Sequence, residues 1–104
     1  MSEGIKDDNG KTRLDLLPPE LMVAVGDILT SGAEKYGNRN WERGMDWGRV
    51  YAALLRHLFA WWGGEASDPE TGKSHLHHVG CCVAFLIAYE ARGIGKDDRP
   101  GAGT

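Results

Sequence analysis

The sequence has 104 residues, of which 41% are hydrophobic and 26% are charged, as is typical of one small globular domain. The formal net charge is −3, which argues against a nucleic-acid polymer as a partner, since such partners select basic domains. The N-terminal segment is charged and every apolar run is too short to cross a bilayer, so we expect a cytoplasmic protein without a membrane partner. The two cysteines are adjacent and poorly placed to bridge each other, which indicates a reducing compartment.

The first predicted helix follows a polar arm. Residues 1–17 are predicted to form this arm, which is flexible and extended. Pro18 and Pro19 suit the entry to a helix rather than its interior, and apolar residues then recur at spacings of three and four as far as Tyr36. The pattern predicts a helix over about 19–36.

Two further helices are predicted, over about 47–63 and 75–92, the first with Asp46 as its N-cap. The last helix is apolar on almost every side, so we expect a second copy of the chain to cover the face that the other two helices leave open. The glycine-rich residues 93–104 read as a disordered tail. The predicted fold is all-α: a small helical bundle over residues 18–92 without a sheet, completed by homo-oligomerisation through helix 75–92.

The segment "GGEASDPETG" holds the first candidate site. Glu65 and Asp68 are three residues apart, so they would share a face if the second helix continued through them, and that face would lie near His57. Paired carboxylates can hold Mg²⁺ or Mn²⁺. The other interpretation is a solvated turn, because Asp-Pro commonly opens turns.

The segment "HLHH" supplies His75 and His78, spaced three residues apart, close to Cys81 and Cys82. Imidazole and thiolate both suit zinc, but a second pair of ligands is missing from the sequence. We favour histidines that contact phosphate oxygens or activate a water.

The segment "GAEKYGNRNW" offers an amide and an aromatic ring, Asn40 and Trp41, which could read and stack on a base, while Lys35 would suit phosphates. Equally, Trp41 could anchor the loop to the core. Lys11 and Arg13 lie on the arm, where they could close over a ligand.

Taken together, the blocks "GKTRLDLLPPELM", "GAEKYGNRNW", "YAALLRHLFAWWGGE", "DPETG" and "HLHH" resemble the phage dATP/dGTP diphosphohydrolase N-terminal domain family, over roughly residues 9–91. The resemblance links the chain to MazZ, an all-α nucleoside triphosphate pyrophosphohydrolase of the MazG type. It implies an oligomeric phage protein that binds purine nucleotides and cleaves the α–β phosphoanhydride with Mg²⁺, or Mn²⁺, as cofactor.

In MazG-type enzymes an ExxE and an ExxD motif bind the metal. Glu65-x-x-Asp68 is similar to the second motif, whereas Glu34 is followed three residues later by Gly37 and leaves the first incomplete. By this resemblance the metal ligands are Glu34, Glu65 and Asp68. Glu70 or His57 would complete the set, and we take His57 as the further catalytic residue. The predicted substrate-binding residues are Lys11, Arg13, Lys35, Asn40, Trp41, Arg56, His75 and His78.

Two functions remain open from the sequence. The first is a Mg²⁺-dependent hydrolase that converts dATP or dGTP to a monophosphate and pyrophosphate. The second is a nucleotide-binding sponge that sequesters a nucleotide second messenger of host antiphage defence without cleaving it, for which the incomplete metal motif is no obstacle.

Overall fold

The computed structural model describes residues 4–102, so residues 1–3 of the predicted arm and 103–104 of the predicted tail lie outside the described residues. The chain is all-α, as predicted, and no β-strand forms within residues 4–102. The centre of the fold is the last helix, which packs against both of the others. The elements are a 3-10 turn at Leu14–Leu16, α1 at Pro19–Tyr36, a 3-10 turn at Asn40–Arg43, α2 at Trp47–Trp62 and α3 at His75–Arg92.

Local sequence signals set the helix ends. Pro19 occupies the first turn of α1, where its missing N–H costs no intrahelical bond. The side chain of Ser74 accepts a hydrogen bond from the Leu76 N–H at 3.2 Å and so caps α3. Gly93 ends α3 with a left-handed backbone, φ +67°.

The core lies between α2, α3 and the loop that joins α1 to α2. Tyr89 is fully buried, and its hydroxyl donates a 2.6 Å hydrogen bond to the Trp41 carbonyl. The Trp41 ring stacks on Phe85 with ring centroids 4.8 Å apart. Val50 and Cys82 complete the buried centre. The loop is therefore held by aromatic packing against α3.

The segment of residues 94–98, which we call the C-terminal clasp, packs against the start of α2. The Lys96 carbonyl accepts from the Trp47 N–H at 2.9 Å, and the Ile94 carbonyl accepts from Trp47 Nε1 at 2.9 Å. The Asp98 carboxylate accepts from the Gly48 N–H at 2.7 Å. This order differs from the disordered tail predicted over 93–104, because the first N–H groups of α2 lack acceptors inside their own helix and the clasp supplies them.

Residues 4–17 are all exposed, with the 3-10 turn as their regular element. On α3, Leu76, Val83 and Ile87 are 40–63% exposed. The radius of gyration is 17.2 Å, against about 13 Å for a compact domain of this length. Within residues 4–102, these three side chains thus form an apolar face of α3 that a single copy of the chain leaves exposed. Among the described residues, no helix has the length and apolar character needed to span a bilayer.

Candidate functional site

The candidate site is a loop, residues 63–74, and the two helices that it joins. The helix α2 ends at Trp62, Gly64 has φ +103°, and the Glu65 N–H turns back to the Ala60 carbonyl at 3.0 Å. Glu65 and Asp68 are therefore not on a continued helical face, and of the two interpretations of this segment the turn is the one that the structure shows. The cause is the glycine pair, which allows a backbone conformation that a helix excludes.

Asp68 organises the turn within this loop. Its carbonyl accepts from the Gly72 N–H at 2.7 Å, and its N–H donates to the Lys73 carbonyl at 2.8 Å. The carboxylate accepts from the Glu70 N–H at 3.2 Å and from the Thr71 hydroxyl at 3.3 Å. The segment is thus a turn, as its Asp-Pro opening indicates. Its side chains nevertheless converge with those of α2 and α3.

Three side chains form a hydrogen-bonded series. Glu65 Oε1 lies 2.7 Å from His75 Nε2, and His75 Nδ1 lies 2.9 Å from His57 Nδ1. His75 is only 4% exposed. Because a carboxylate can only accept, Nε2 of His75 carries a proton. When the His75 ring is neutral, its Nδ1 therefore accepts and Nδ1 of His57 donates. The series therefore leaves a lone pair on Nε2 of His57.

His78 joins this series to the turn. Its ring stacks on His57 with centroids 4.3 Å apart and planes 6° from parallel. Its Nε2 lies 2.8 Å from the Thr71 hydroxyl and 3.6 Å from a carboxylate oxygen of Asp68. One ligand atom from each of His57, Asp68 and His78 lies within 4.8 Å of the other two. These three are the one such group found among residues 4–102.

Burial favours the neutral form of both stacked rings. Desolvation lowers the pKa of His57 and the pKa of His78, and the nearby Asp68 carboxylate opposes this only in part. Desolvation acts to raise the pKa of Asp68, but the Glu70 N–H and the neighbouring imidazoles lower it by more, so the pKa lies below its ordinary value. At neutral pH the cluster therefore combines two neutral imidazoles with one carboxylate.

The donor atoms of this cluster do not fit the Mg²⁺ that the family resemblance implies. Mg²⁺ prefers oxygen ligands in an octahedral arrangement, whereas two of the three donors here are ring nitrogens. Glu65 turns its carboxylate to His75 instead of to the group. Within one chain, the residues therefore do not build an oxygen cage for Mg²⁺.

The other predicted acid, Glu34, lies exposed on the last turn of α1 and makes no hydrogen bond or ion pair within residues 4–102. Its neighbour Lys35 reaches the loop, with Nζ 4.0 Å from a carboxylate oxygen of Glu70. The end of α1 thus lies at the rim of the cluster. The metal role of Glu34 stays a prediction.

The predicted substrate-binding residues lie in three places. Arg56 is exposed beside His57 and lowers the pKa of that imidazole. Lys11 and Arg13 line a separate concavity of about 340 Å³ on the arm, where Arg13 is paired with Asp15. Asn40 is exposed. Trp41 packs in the core, which favours its anchoring role over base stacking.

Sequence reasoning missed the bridging role of Thr71. Its hydroxyl contacts both His78 and Asp68, and it accepts from the Lys73 N–H at 3.2 Å. Threonine in a polar turn is common, and nothing in its spacing marks it. Only the fold of the turn brings it between the two side chains.

The fold and the cluster define an all-α protein with a histidine–carboxylate site between two helices. The chain belongs to the family described as dATP/dGTP diphosphohydrolase, N-terminal, whose model matches residues 1–99. The resemblance seen in the sequence is thereby confirmed. A protein of Salmonella phage PMBT28, named dATP/dGTP diphosphohydrolase, is 33% identical to this chain over 96 residues. That match covers 92% of this chain and 33% of the relative, so the chain spans about a third of the relative's length. No solved structure matches the chain.

Proposed function

We propose that the protein is a purine nucleoside triphosphate pyrophosphohydrolase, which cleaves dATP or dGTP to the monophosphate and pyrophosphate. The family and the name of the phage relative support this substrate class. The observation that carries the proposal is the series Glu65–His75–His57, because it presents a basic ring nitrogen of His57. A base held in this way is suited to activate a water.

In this proposal a water attacks the α-phosphorus and gives its proton to Nε2 of His57. The bond from the α-phosphorus to the bridging oxygen breaks, and that oxygen leaves with pyrophosphate. Protonated His57 then donates more strongly through Nδ1 to His75, and the Glu65 carboxylate offsets the positive charge. General-base catalysis of this kind contributes about 10²–10⁴-fold to a rate.

Two cations at the rim would bind the phosphates. Arg56 makes no hydrogen bond or salt bridge within residues 4–102, so its guanidinium is available to phosphate oxygens. Lys35 lies over the exposed Tyr36 ring, and its contact with Glu70 is long and exposed, so a phosphate could replace Glu70 at small cost. Lys11 and Arg13 would act from the arm, if it closes over the nucleotide.

An exposed aromatic ring at the end of α2, directly before the loop, would stack on the purine. Trp62 is 82% exposed and stands three residues before Glu65, whereas Trp41 is occupied by Phe85. We therefore assign base stacking to Trp62 in place of Trp41, with Asn40 retained as a candidate for hydrogen bonds to the base edge.

The second candidate function is a sponge that binds a nucleotide second messenger and returns it intact. One observation favours it: the metal-capable group among residues 4–102 has a single carboxylate. Neutralising charge on a leaving pyrophosphate takes more than that. Binding requires only the rim cations and an aromatic surface.

The test is incubation of the full chain with dATP, dGTP and cyclic or ADP-ribose-type nucleotides, with Mg²⁺, Mn²⁺, Zn²⁺ or no added metal. Appearance of dNMP and pyrophosphate supports the hydrolase. Glu65→Gln should then lower turnover by about 10²-fold or more, because the neutral amide cannot offset the positive charge of protonated His57 through His75. The matched control is Glu90→Gln, an exposed acid near the far end of α3.

The remaining outcomes separate the candidates. Depletion of a nucleotide that is recovered intact after heat denaturation supports the sponge and rejects the hydrolase. Equal turnover by the Glu65 and Glu90 variants would reject the proposed proton path. If every nucleotide remains both unaltered and unbound, neither function holds.

We also propose that the chain forms a homo-oligomer through α3. The exposed side chains of Leu76, Val83 and Ile87, which lie on one face of α3, support it. Ile87→Glu should shift the mass measured by light scattering towards the monomer. Ile5→Glu, which adds the same charge on the exposed arm, should leave the mass unchanged. A monomeric parent protein would reject this proposal.

A further inference from the structure

The cluster of His57, Asp68 and His78 offers two ring nitrogens and one carboxylate oxygen, all within 4.8 Å of one another and all half-buried. We propose that these three side chains bind a divalent transition-metal ion of the Zn²⁺ class. Imidazole is a preferred ligand of such ions, and a carboxylate supplies the third donor. The inference concerns ion binding, goes beyond nucleotide hydrolysis and is tested without nucleotide. Because a bound ion would take the lone pair on Nε2 of His57, the water activation described above applies to the ion-free protein.

The neighbours of His57 prepare it as a ligand. Its Nδ1 donates to His75, and His75 in turn donates to Glu65. Metal-binding histidines typically donate their second ring N–H to a partner of this kind, which fixes the tautomer and orients the ring. Here the partner is itself a histidine held by a carboxylate, and His75 is buried at 4% exposure.

The turn prepares the other two donors. Asp68 is fixed by bonds from its own turn, including the Glu70 N–H at 3.2 Å. Thr71 lies between the remaining pair, 2.8 Å from His78 Nε2 and 3.3 Å from the Asp68 carboxylate. The space between these ligands is thus polar and already lined by oxygen.

The three ligand atoms must move closer together to bind one ion. Metal–nitrogen distances of about 2.0–2.1 Å place ligand atoms roughly 3–3.5 Å apart around one ion. The observed separations reach 4.8 Å at most, so side-chain movements of about an ångström, within the range of χ rotation, bring the donors together. The parallel stack of His57 and His78 would open as their nitrogens turn to a common point.

Consecutive histidines give a matched control. His78 faces the cluster, whereas His77 lines an apolar groove with Pro19, Glu20, Val23 and Ala24 beside α1. Removing either imidazole deletes the same atoms from adjacent positions of one helix. Only the His78 substitution removes a proposed ligand.

The experiment uses tag-free full chain, stripped with EDTA and dialysed. Calorimetric titration with Zn²⁺ and with Mg²⁺, and absorption titration with Co²⁺, measure affinity and stoichiometry without any nucleotide. We expect one Zn²⁺ or Co²⁺ per chain, with a visible Co²⁺ band that reports nitrogen ligation, and much weaker binding of Mg²⁺. His78→Ala should weaken Zn²⁺ binding by more than about 100-fold and Glu65→Gln by about 10–100-fold, the latter as an outer partner.

Circular dichroism and thermal unfolding check that each variant folds. If His78→Ala fails to fold, Asp68→Asn decides, because it removes the anionic ligand atom while keeping the size of the side chain. The proposal is overturned if Mg²⁺ binds as tightly as Zn²⁺. It is also overturned if the His77→Ala and His78→Ala proteins, or the parent and Asp68→Asn proteins, bind Zn²⁺ equally.

Discussion

The loop of residues 63–74 and the C-terminal clasp are both polar, glycine-containing segments next to α3, yet their polar atoms have different partners. In the clasp, Lys96 and Asp98 bond to backbone N–H groups of α2. In the loop, Glu65 bonds to a side chain, His75, which bonds to another, His57. In the clasp the polar atoms satisfy N–H groups at the end of a helix. In the loop the hydrogen bonds join side chains, and ring nitrogens of the histidines remain available to a ligand. We therefore expect the clasp to carry stability and the loop to carry function.

Two glycines with nearly the same positive φ angle, one in each segment, are expected to show the largest difference in stability on substitution. Gly95 in the clasp has φ +75° and Gly72 in the loop has φ +72°. A Cβ at Gly95 would collide with the Met45 carbonyl, whereas a Cβ at Gly72 meets open space.

Gly72→Ala should therefore lower the free energy of unfolding by about 1–2 kcal/mol, the cost of a left-handed alanine. Gly95→Ala should lower it by about 3 kcal/mol or more, since overpacking adds to that cost. Urea unfolding followed by circular dichroism measures both. Equal losses at the two positions would mean that the clasp does not hold α2.

Neighbouring aspartates provide the next test. Asp98 accepts from the Gly48 N–H at 2.7 Å, and a Cβ on Gly48 would lie 3.0 Å from its carboxylate, so the glycine makes this close approach possible. Asp98→Ala removes a helix cap and should cost about 1 kcal/mol of unfolding free energy. Asp97 pairs only with exposed Arg99 and its own segment, so Asp97→Ala should be close to neutral.

Urea unfolding measures the loss of unfolding free energy in each variant, and we expect the loss to be larger for Asp98→Ala than for Asp97→Ala. Nucleotide turnover or retention should be unchanged in both variants at temperatures where both are folded. A loss of binding in Asp98→Ala without a loss of stability would assign function to the clasp and break the comparison.

Local signals made the helices predictable. The observed ends of α1, α2 and α3 lie within one residue of the predicted ends. The signals that allowed this are the proline pair, the spacing of apolar residues and the glycines. The clasp could not be predicted, because its partners Met45 and Trp47 lie about fifty residues away and the composition of the segment is typical of disorder.

The candidate site was only half predictable. Proximity of His57 to Asp68 was expected, but from a helix that the glycine pair ends. The contact of His75 with both Glu65 and His57 depends on the path of the loop, which no periodicity encodes. The core role of Trp41 was one of two equal interpretations, and only packing against Phe85 decided it.

The smallest effect at neutral pH is expected midway along α3, between the two segments. Cys81 is 2% exposed, and burial raises the pKa of its thiol to about 12. Because the thiolate is the reactive form, native Cys81 should react with iodoacetamide far more slowly at pH 8 than the denatured chain does. The folded state binds the thiol proton more tightly than the unfolded state does. The thiol therefore contributes fully to stability below its unfolded pKa near 9, and this contribution is lost as the pH rises towards 12.

If the loop and the clasp belong to one cooperative unit, alkaline pH should weaken both at once, and exchange of the backbone amide hydrogens of His75 and Lys96 should accelerate together. Acceleration at only one of them would show that the two ends of α3 open independently.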